Sequence, residues 1–271
     1  MGNGVRVVQG ARTGELLLKH AMIPDTQIFP GSEVDHLRSA AKYLRKHRPD
    51  KIILIGDWWD FPSLSSYDKA GDKGWESKNL IADLEAGWGA MKMFLKGMRT
   101  HRYDPEIHFC VGNHENRVER AAASASLRRM DNHLDLSELI LRPLEELNVK
   151  THGFLDVVTM DGICYSHYFV NPTSLFSNPI GGTIESKLKN LGHSFSMGHQ
   201  QKKQTGEIYT CTGKRRRGLV CGRFYPDYHE YLGPQKNSQS WSGILMKHEV
   251  SDGDYDLMEV SMDYLLKEYS P

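Results

Sequence analysis

Residues 51–60 of this 271-residue chain read KIILIGDWWD, and residues 106–115 read EIHFCVGNHE. In each stretch a largely apolar run of strand length leads into a glycine, and polar residues able to bind a metal ion follow directly. Nearly continuous apolar runs are typical of strands that are buried on both faces of a parallel sheet. Ligands of open α/β sheets bind at the carboxyl ends of such strands. Both stretches therefore predict an α/β fold whose functional site lies at the strand ends.

Short apolar runs alternate with helical patterns on both sides of these stretches. Apolar residues recur at steps of three and four over 33–47 and 76–98, which predicts a helix in each range. Strands are predicted at 21–23, 51–55, 107–111, 157–160, 163–166 and 195–197. Further strand-like runs at 208–211, 219–221, 243–250 and 257–262 predict a second sheet in the C-terminal third. The expected fold class is α/β, a two-sheet β-sandwich flanked by helices.

The composition narrows the function classes. The 34 Lys and Arg residues balance 34 Asp and Glu residues, and zero net charge does not favour a nucleic-acid coat or a membrane-surface protein. The cysteines at 110, 164, 211 and 221 form no CxxC pair, so free thiols are expected instead of a structural zinc site. No apolar run approaches the roughly 18 residues that span a bilayer, and no signal peptide is recognised.

From these features we expect a cytoplasmic protein without a membrane partner. A single domain is predicted over residues 1–271, with residues 1–18 as an N-terminal extension. The sequence carries no signal for an oligomeric state.

Metal-competent residues recur at the ends of the other apolar runs. In chain order the series is Asp25-Thr26-Gln27, Gly56-Asp57-Trp58-Trp59-Asp60, Gly112-Asn113-His114-Glu115, His167 and Gly198-His199-Gln200-Gln201. This series resembles the calcineurin-like metallophosphoesterases, whose pattern is DxH, GDxxD, GNH(D/E), a lone His and GHxH. The resemblance covers most of the chain, and it implies a four-layer α/β/β/α arrangement. The segment 61–67, FPSLSSY, is similar to the corresponding segment of small phage and bacterial phosphoesterases.

The resemblance implies metal-dependent hydrolysis of phosphoester bonds, in which two divalent metal ions support an in-line displacement at phosphorus. It makes Asp57 the ligand that bridges both ions. Asn113, His167 and His199 would complete the second metal site, and Asp25 would belong to the first. Mixed nitrogen and oxygen ligands suit Mn, Fe or Zn.

The resemblance also assigns the proton chemistry. A metal-bridging hydroxide would attack phosphorus while His114 acts as general acid toward the leaving oxygen. Asp60 would bond to His114 and keep it cationic and oriented. The alternative role for Asp60 is a cap for the loop that follows it.

The chain departs from the family pattern at Gln27 and Gln201, where the family has histidines of the first metal site. One hypothesis is a remodelled first site in which both glutamines are carbonyl-oxygen ligands, a set that favours Mg, Mn or Ca. The other hypothesis is a first site that binds weakly or is empty. The alternative function is then a non-catalytic binding or scaffold protein that retains the fold. A second Gly-His pair, Gly192-His193, competes with His199, but only His199 follows a predicted strand.

Basic and aromatic residues near the motifs are candidates for substrate binding. Arg117 follows GNHE and is favoured as a phosphate contact, whereas Arg120 is equally suited to a salt bridge with Glu119. Lys202 follows the Gly-His loop and, with Lys203 and the basic run 214–217, could hold a polyanion; a solvated hairpin turn is the alternative.

Trp58 and Trp59 could stack a base at the rim of the site or pack in the core. The substrate class we favour is a phosphodiester or phosphomonoester of a nucleotide or nucleic acid. Histidines without a motif, including His36 and His152, are expected at the surface or as hydrogen-bonded core residues.

Overall fold

The computed structural model describes residues 17–65, 79–124, 134–172, 174–175, 178–226 and 241–270. Their strands form a six-stranded sheet in the order β11-β10-β1-β2-β3-β4 and a five-stranded sheet in the order β5-β6-β7-β9-β8. The first sheet contains β1 (Leu18–Ile23), β2 (Lys51–Leu54), β3 (Glu106–Cys110), β4 (Lys150–His152), β10 (Gly243–Ser251) and β11 (Asp254–Ser261). The second contains β5 (Val158–Met160), β6 (Ile163–Tyr165), β7 (Ser194–Met197), β8 (Gln204–Tyr209) and β9 (Arg215–Val220).

Helices cover the outer faces of both sheets. They are α1 (Asp35–His47), α2 (Leu80–Met98), α3 (Arg117–Ala123), α4 (Arg142–Glu146), α5 (Ile184–Leu191) and α6 (Met262–Glu268). A 3₁₀ turn covers Pro62–Leu64, and a π-helical turn over Ser137–Leu141 leads into α4. α1 and α2 pack against each other outside the first sheet, while α5 packs on β8 and β9 of the second.

Alternation along the strands separates the interior into three apolar clusters. Side chains of a strand point to opposite faces in turn, so neighbours in β1 and β2 enter different clusters. Ile52 and Leu54 pack toward the helices, whereas Ile53 packs between the two sheets. A third cluster joins the second sheet to α5 through Ile184 and Leu188. The three clusters lie between four layers, in the order helices, sheet, sheet and helix. This arrangement confirms the predicted α/β fold, a two-sheet sandwich flanked by helices.

Every predicted strand overlaps an observed one, but the run at 208–211 covers only the last two residues of β8, and β4 was not predicted. α1 begins two positions later than its predicted range, and α2 begins at Leu80, after residues 66–78, which lie outside the described part of the chain. Residues 1–16 of the predicted N-terminal extension also lie outside it, and Leu18 is already the first residue of β1.

One prediction about the sheets is wrong. The runs at 243–250 and 257–262 were expected in the second sheet with the rest of the C-terminal third, but β10 and β11 extend the first sheet. β10 pairs antiparallel with β1, with Ala21 opposite Met246. Local sequence specifies a strand but not its partner, and this pairing joins the two ends of the described chain.

All four cysteines are free thiols, as expected, and Cys110 and Cys221 are buried. Among the described residues, no helix combines the length and apolar character needed to cross a bilayer.

Candidate metal centre

The loops that follow β1, β2, β3, β6 and β7 meet at one end of the sandwich. The strands β1, β2 and β3 run parallel to one another, as do β6 and β7, so their carboxyl ends share one edge. Backbone hydrogen bonds tie the loops together: Gln27 N donates to Asp57 O at 2.9 Å, and Gly198 N donates to His167 O at 2.9 Å. The geometry of the site is therefore held by the main chain.

Asp57, His167 and His199 each offer a ligand atom, and these three atoms lie within 4.8 Å of one another. Asn113 Oδ1 lies between the histidines, 2.9 Å from His167 Nε2 and 2.6 Å from His199 Nδ1. Asp57 Oδ2 is 3.3 Å from His167 Nε2. These residues are the four predicted for the second metal site, and the structure brings them together. His193, of the second Gly-His pair in the sequence, is exposed, and its Nδ1 lies 3.5 Å from Arg216 Nη1.

The hydrogen bonds of His167 show that a cation fits this cluster. His167 Nδ1 lies 2.8 Å from Ile55 O, and because a carbonyl oxygen only accepts, Nδ1 carries a proton. A neutral His167 would then direct the lone pair of Nε2 at two more acceptors, Asn113 Oδ1 and Asp57 Oδ2. Burial opposes a charge on His167, but the Asp57 carboxylate raises the His167 pKa to about 9. A proton or a metal ion satisfies this arrangement.

Asp25 provides a second indication of a cation. The residue is fully buried, and its Oδ1 accepts a hydrogen bond from His199 N at 3.2 Å. Its Oδ2 has no hydrogen-bond partner among the described residues. Burial raises the Asp25 pKa to about 7, with the charge of His167 opposing the shift. A buried carboxylate oxygen without a partner is costly in free energy unless a cation binds it, so Asp25 fits a second ion.

Gln27 and Gln201 lie on the Asp25 side of the site in left-handed backbone conformations, with φ of 46° and 45°. Gln201 Oε1 accepts a hydrogen bond from Tyr225 Oη at 2.7 Å. Gln27 lines a cavity beside the site. Both hypotheses for the first metal site, all-oxygen or weak, therefore remain predictions.

Glycines allow the ligand loops to approach one another. A Cβ atom on Gly112 would lie 2.2 Å from Asp57 Oδ1, and one on Gly198 would lie 2.5 Å from Asp25 Oδ1. Asp57 and His199 themselves have φ of 52° and 65°. Non-glycine residues in this conformation store strain, which is frequent at functional sites.

Glu115 connects two of the loops and is a residue for which the sequence predicted no role. Its buried carboxylate accepts hydrogen bonds from Asp57 N at 2.9 Å, Gly112 N at 2.8 Å and Trp59 N at 3.0 Å. Burial, followed by the charge of Asp57, raises the Glu115 pKa. The residue thus fixes the GDxxD loop against the GNHE loop. Its position in the motif was the signal that could have identified it.

His114 lies beside the ligand cluster and is bonded to Asp60, as predicted. His114 Nδ1 is 2.9 Å from Asp60 Oδ1, and His114 Nε2 is 3.8 Å from Asp57 Oδ2. Burial opposes protonation, but the charge of Asp57 and the hydrogen bond of Asp60 raise the His114 pKa above its ordinary value. The alternative of Asp60 as a loop cap is not observed, because Asp83 accepts the hydrogen bond from Ser63 N at 3.0 Å.

Arg117 begins α3 and turns toward the same loop. Its Nη1 donates to Asp60 O at 2.7 Å and to Phe61 O at 3.2 Å, and its Nη2 lies 3.1 Å from His114 Nε2. Arg120 is exposed, and its charge opposes the rise that burial causes in the Tyr168 pKa. Glu119, its expected partner, accepts a hydrogen bond from Leu136 N at 3.3 Å.

The predicted basic cluster is largely neutralised. Lys202 is exposed beside the Gly-His loop, but most basic side chains that follow it pair with acids. The ion pairs are Lys203 with Glu259, Lys214 with Asp252, and Arg215 and Arg217 with Asp254. These contacts favour the alternative of a hairpin whose charges are internally paired.

Neither tryptophan of the GDxxD loop lies at the rim, so of the two alternatives the structure shows packing in the core. Trp58 and Trp59 are fully buried, and their indole N–H groups donate to Gly87 O and Leu84 O of α2 at 3.1 and 3.4 Å. Cover by α2 could not be foreseen from the loop sequence. Residues 66 and 67 of the segment 61–67 lie outside the described residues.

Comparison with known proteins finds similarity in sequence and in structure. No family model matches the chain. The gene 54 protein of Mycobacterium phage L5 is 32% identical over 96 residues, which make up 35% of this chain and 35% of that protein. The match thus spans about a third of the length of its curated relative. Among solved structures, a dimetal phosphatase from Danio rerio is 12% identical, with a TM-score of 0.45, over 90% of this chain and 96% of that one. Neither similarity assigns a substrate to this chain.

Proposed function

We propose that this chain is a metal-dependent phosphoesterase. The observation that carries the proposal is the convergence of Asp57, Asn113, His167 and His199 around one point, with the unpartnered carboxylate oxygen of Asp25 beside it. Carboxylate, amide and imidazole ligands together suit Mn, Fe, Zn or Mg.

The residues divide between two ions. Asn113, His167 and His199 would hold the second ion, Asp25 would hold the first with Gln27 and Gln201, and Asp57 would be shared by both sites. Such ions supply a nucleophile at neutral pH and neutralise charge on the phosphoryl oxygens. The chain supplies the geometry, because Glu115 and the glycines of the loops fix the carboxylates before a substrate binds.

His114 is the general acid in this proposal. Its Nδ1 is held by Asp60 Oδ1 at 2.9 Å, and its Nε2 faces the ligand cluster, 3.8 Å from Asp57 Oδ2. Because Arg117 Nη2 only donates and lies 3.1 Å from the same nitrogen, a protonated Nε2 requires Arg117 to turn toward the phosphoryl group, which leaves the proton available to a leaving oxygen. Arg117 contacts the same imidazole edge through Nη2 and is placed to bond a phosphoryl oxygen near the leaving group. Lys202 attracts the anionic substrate from the exposed side of the Gly-His loop.

The second candidate function is a binding protein with a degenerate first metal site. It is favoured by Gln201, whose Oε1 already accepts a hydrogen bond from Tyr225. In that case the second site binds one ion and no phosphoester is turned over.

Hydrolysis of bis-p-nitrophenyl phosphate and p-nitrophenyl phosphate tests the proposal. Metal-stripped protein is titrated with Mn²⁺, Mg²⁺, Zn²⁺ and Ca²⁺ beside Asp57→Asn, with the exposed Asp256→Asn on β11 as matched control. The proposal expects activity that requires added metal, persists in the control and is lost in Asp57→Asn. No turnover with any metal would favour the binding protein.

A further inference from the structure

A cavity of about 320 Å³ opens beside the candidate metal centre, on the side of the first metal site. Its lining includes Gln27, the predicted first-site ligand, and Asp60, the partner of His114. It also includes Tyr225, which bonds Gln201. Because these residues line the cavity and also contact residues of the centre, the cavity adjoins the proposed position of the phosphoryl group.

The inner wall of the cavity carries a buried polar side chain that makes only a weak contact with the Phe224 backbone. His36 lies on α1, is only 2% exposed and lines the cavity. Neither of its ring nitrogens has a hydrogen-bond partner of normal geometry among the described residues, although the ring packs edge-on against Phe224. A buried polar group without a partner requires an explanation. A ligand that accepts a hydrogen bond from one ring nitrogen and donates one to the other would explain the burial of this ring.

The remaining walls are apolar on one side and acidic on the other. Phe29, which is 46% exposed, presents an aromatic ring at the mouth, whereas Tyr225 is buried in the wall with Arg223 over its ring. The charged lining residues among those described are Glu33 and Asp60, with neither Lys nor Arg. Acidic walls repel a second phosphate, so the cavity suits an uncharged group that is flat and carries hydrogen-bonding edges.

The volume of the cavity limits the size of the ligand. Small-molecule sites have volumes from about 300 Å³ upward and are mostly apolar, with few polar groups that fix orientation. A cavity of about 320 Å³ holds a nucleoside-sized group and excludes a folded peptide or a duplex. An aromatic ring at the mouth is the usual platform for a base.

We infer that this cavity binds the nucleobase of a nucleotide ester whose phosphoryl group lies at the metal centre. Phe29 stacks on the base, and His36 bonds its polar edge from the inner wall. The inference rests on the proposed function for the position of the phosphoryl group, and it names the substrate class of that site.

Isothermal titration calorimetry with adenosine 5′-monophosphate and ribose 5-phosphate tests the inference. The two ligands share phosphate and sugar and differ in the base. In the Mn²⁺-loaded protein we expect the nucleotide to bind at least about fivefold more tightly, which is the lower end of the effect of stacking one base. Phe29→Ala should remove most of this preference. Tyr264→Ala, an aromatic residue of α6 that is also 46% exposed, should keep it.

His36→Phe, which fills the inner wall without a polar edge, should also remove the preference, provided that its melting temperature shows a folded protein. Equal binding of the two ligands by the wild type would overturn the inference, as would a full preference in Phe29→Ala. Tighter binding of phosphocholine than of the nucleotide would show a cation site and would overturn it too.

The two proposals fail separately. A base preference in a protein that hydrolyses no phosphoester with any metal leaves the cavity assignment standing and removes the proposed function. Hydrolysis without a base preference would support the proposed function and overturn the cavity assignment.

Discussion

At the scale of single residues, the site is a set of hydrogen-bond acceptors with too few donors. His167 is fixed by Ile55 O, so its second nitrogen must share Asn113 and Asp57 with a proton or a cation. His114, by contrast, lies outside this shared set, with Asp60 at 2.9 Å. The proposal therefore gives different tasks to two histidines near the same carboxylate: His167 would hold an ion, and His114 would carry a proton.

This difference gives the first prediction. His114→Asn should lower kcat by about 10²- to 10⁴-fold, the usual contribution of a general acid, because no group replaces its proton. The metal content should not change, since His114 is not a ligand. Steady-state kinetics and elemental analysis on the same preparations measure both quantities. Loss of bound metal in His114→Asn would show that the role assigned to His114 is wrong.

At the scale of the structural elements, each strand delivers its ligand through a short loop that other loops hold in place. Gly198 follows β7, and its missing side chain lets Asp25 Oδ1 lie where a Cβ atom would come within 2.5 Å. Ile55 lies nearby, with its Cγ2 atom 2.8 Å from the same position. The ligands of the two sheets can approach one another only because this position is a glycine.

Gly198→Ala should therefore weaken metal binding and hydrolysis together, because either Asp25 or the Gly-His loop must move. Gly181→Ala is the matched control, since a Cβ atom there meets nothing within 4 Å. Equilibrium dialysis with Mn²⁺ and the diester assay measure the two effects. If Gly198→Ala behaves like Gly181→Ala, the close approach of the loops is not needed for function.

The element scale also shows what the sequence could predict. Burial of one face gives α1 a helical period, and burial of both faces gives β2 and β3 nearly continuous apolar runs, so all three were predicted within a few residues. The partner of a strand leaves no such period, and the position of β10 and β11 in the first sheet could not be derived.

The same distinction holds at the site. Residues in motifs at strand ends, such as Asp57 and His199, were predicted because the carboxyl ends of parallel strands converge. Trp58 and the ring of His36 are buried by segments that are distant in the sequence. No sequence motif predicts these contacts.

At the scale of the whole molecule, the two sheets enclose a polar group that belongs to no motif. Lys247 of β10 is fully buried between them, with Nζ 3.1 Å from Tyr165 Oη and 2.5 Å from Ser196 Oγ. Its ammonium group also lies over the ring of Tyr255, 4.6 Å from the centroid. Burial lowers the Lys247 pKa well below 10.5.

A lowered pKa makes the stability of the fold depend on pH. Between the folded pKa and 10.5, the unfolded chain binds a proton that the folded chain lacks, so the free energy of unfolding rises with pH in this window. The slope from this one group is at most about 1.4 kcal/mol per pH unit. Lys247→Met keeps the length of the side chain and should reduce the rise, while Tyr165 retains its contact with His20 at 2.7 Å.

Urea unfolding of the wild type and Lys247→Met at several pH values above 7 measures this effect. At the lower end of the range the variant should be at least as stable as the wild type, because no ammonium has to be desolvated or deprotonated on folding. Parallel pH profiles for the two proteins would show that Lys247 titrates alike in the folded and unfolded chains.

The central claim is that the loops after β1, β2, β3, β6 and β7 form a metal centre. Counting the Mn²⁺ ions retained after equilibrium dialysis, in the wild type and in Asp57→Asn, tests it most directly. We predict that the wild type retains at least one ion per chain and that Asp57→Asn retains none at the same concentration, since Asp57 is the carboxylate common to both sites. A wild type that binds no ion, or an Asp57→Asn variant that binds as many as the wild type, would contradict the claim.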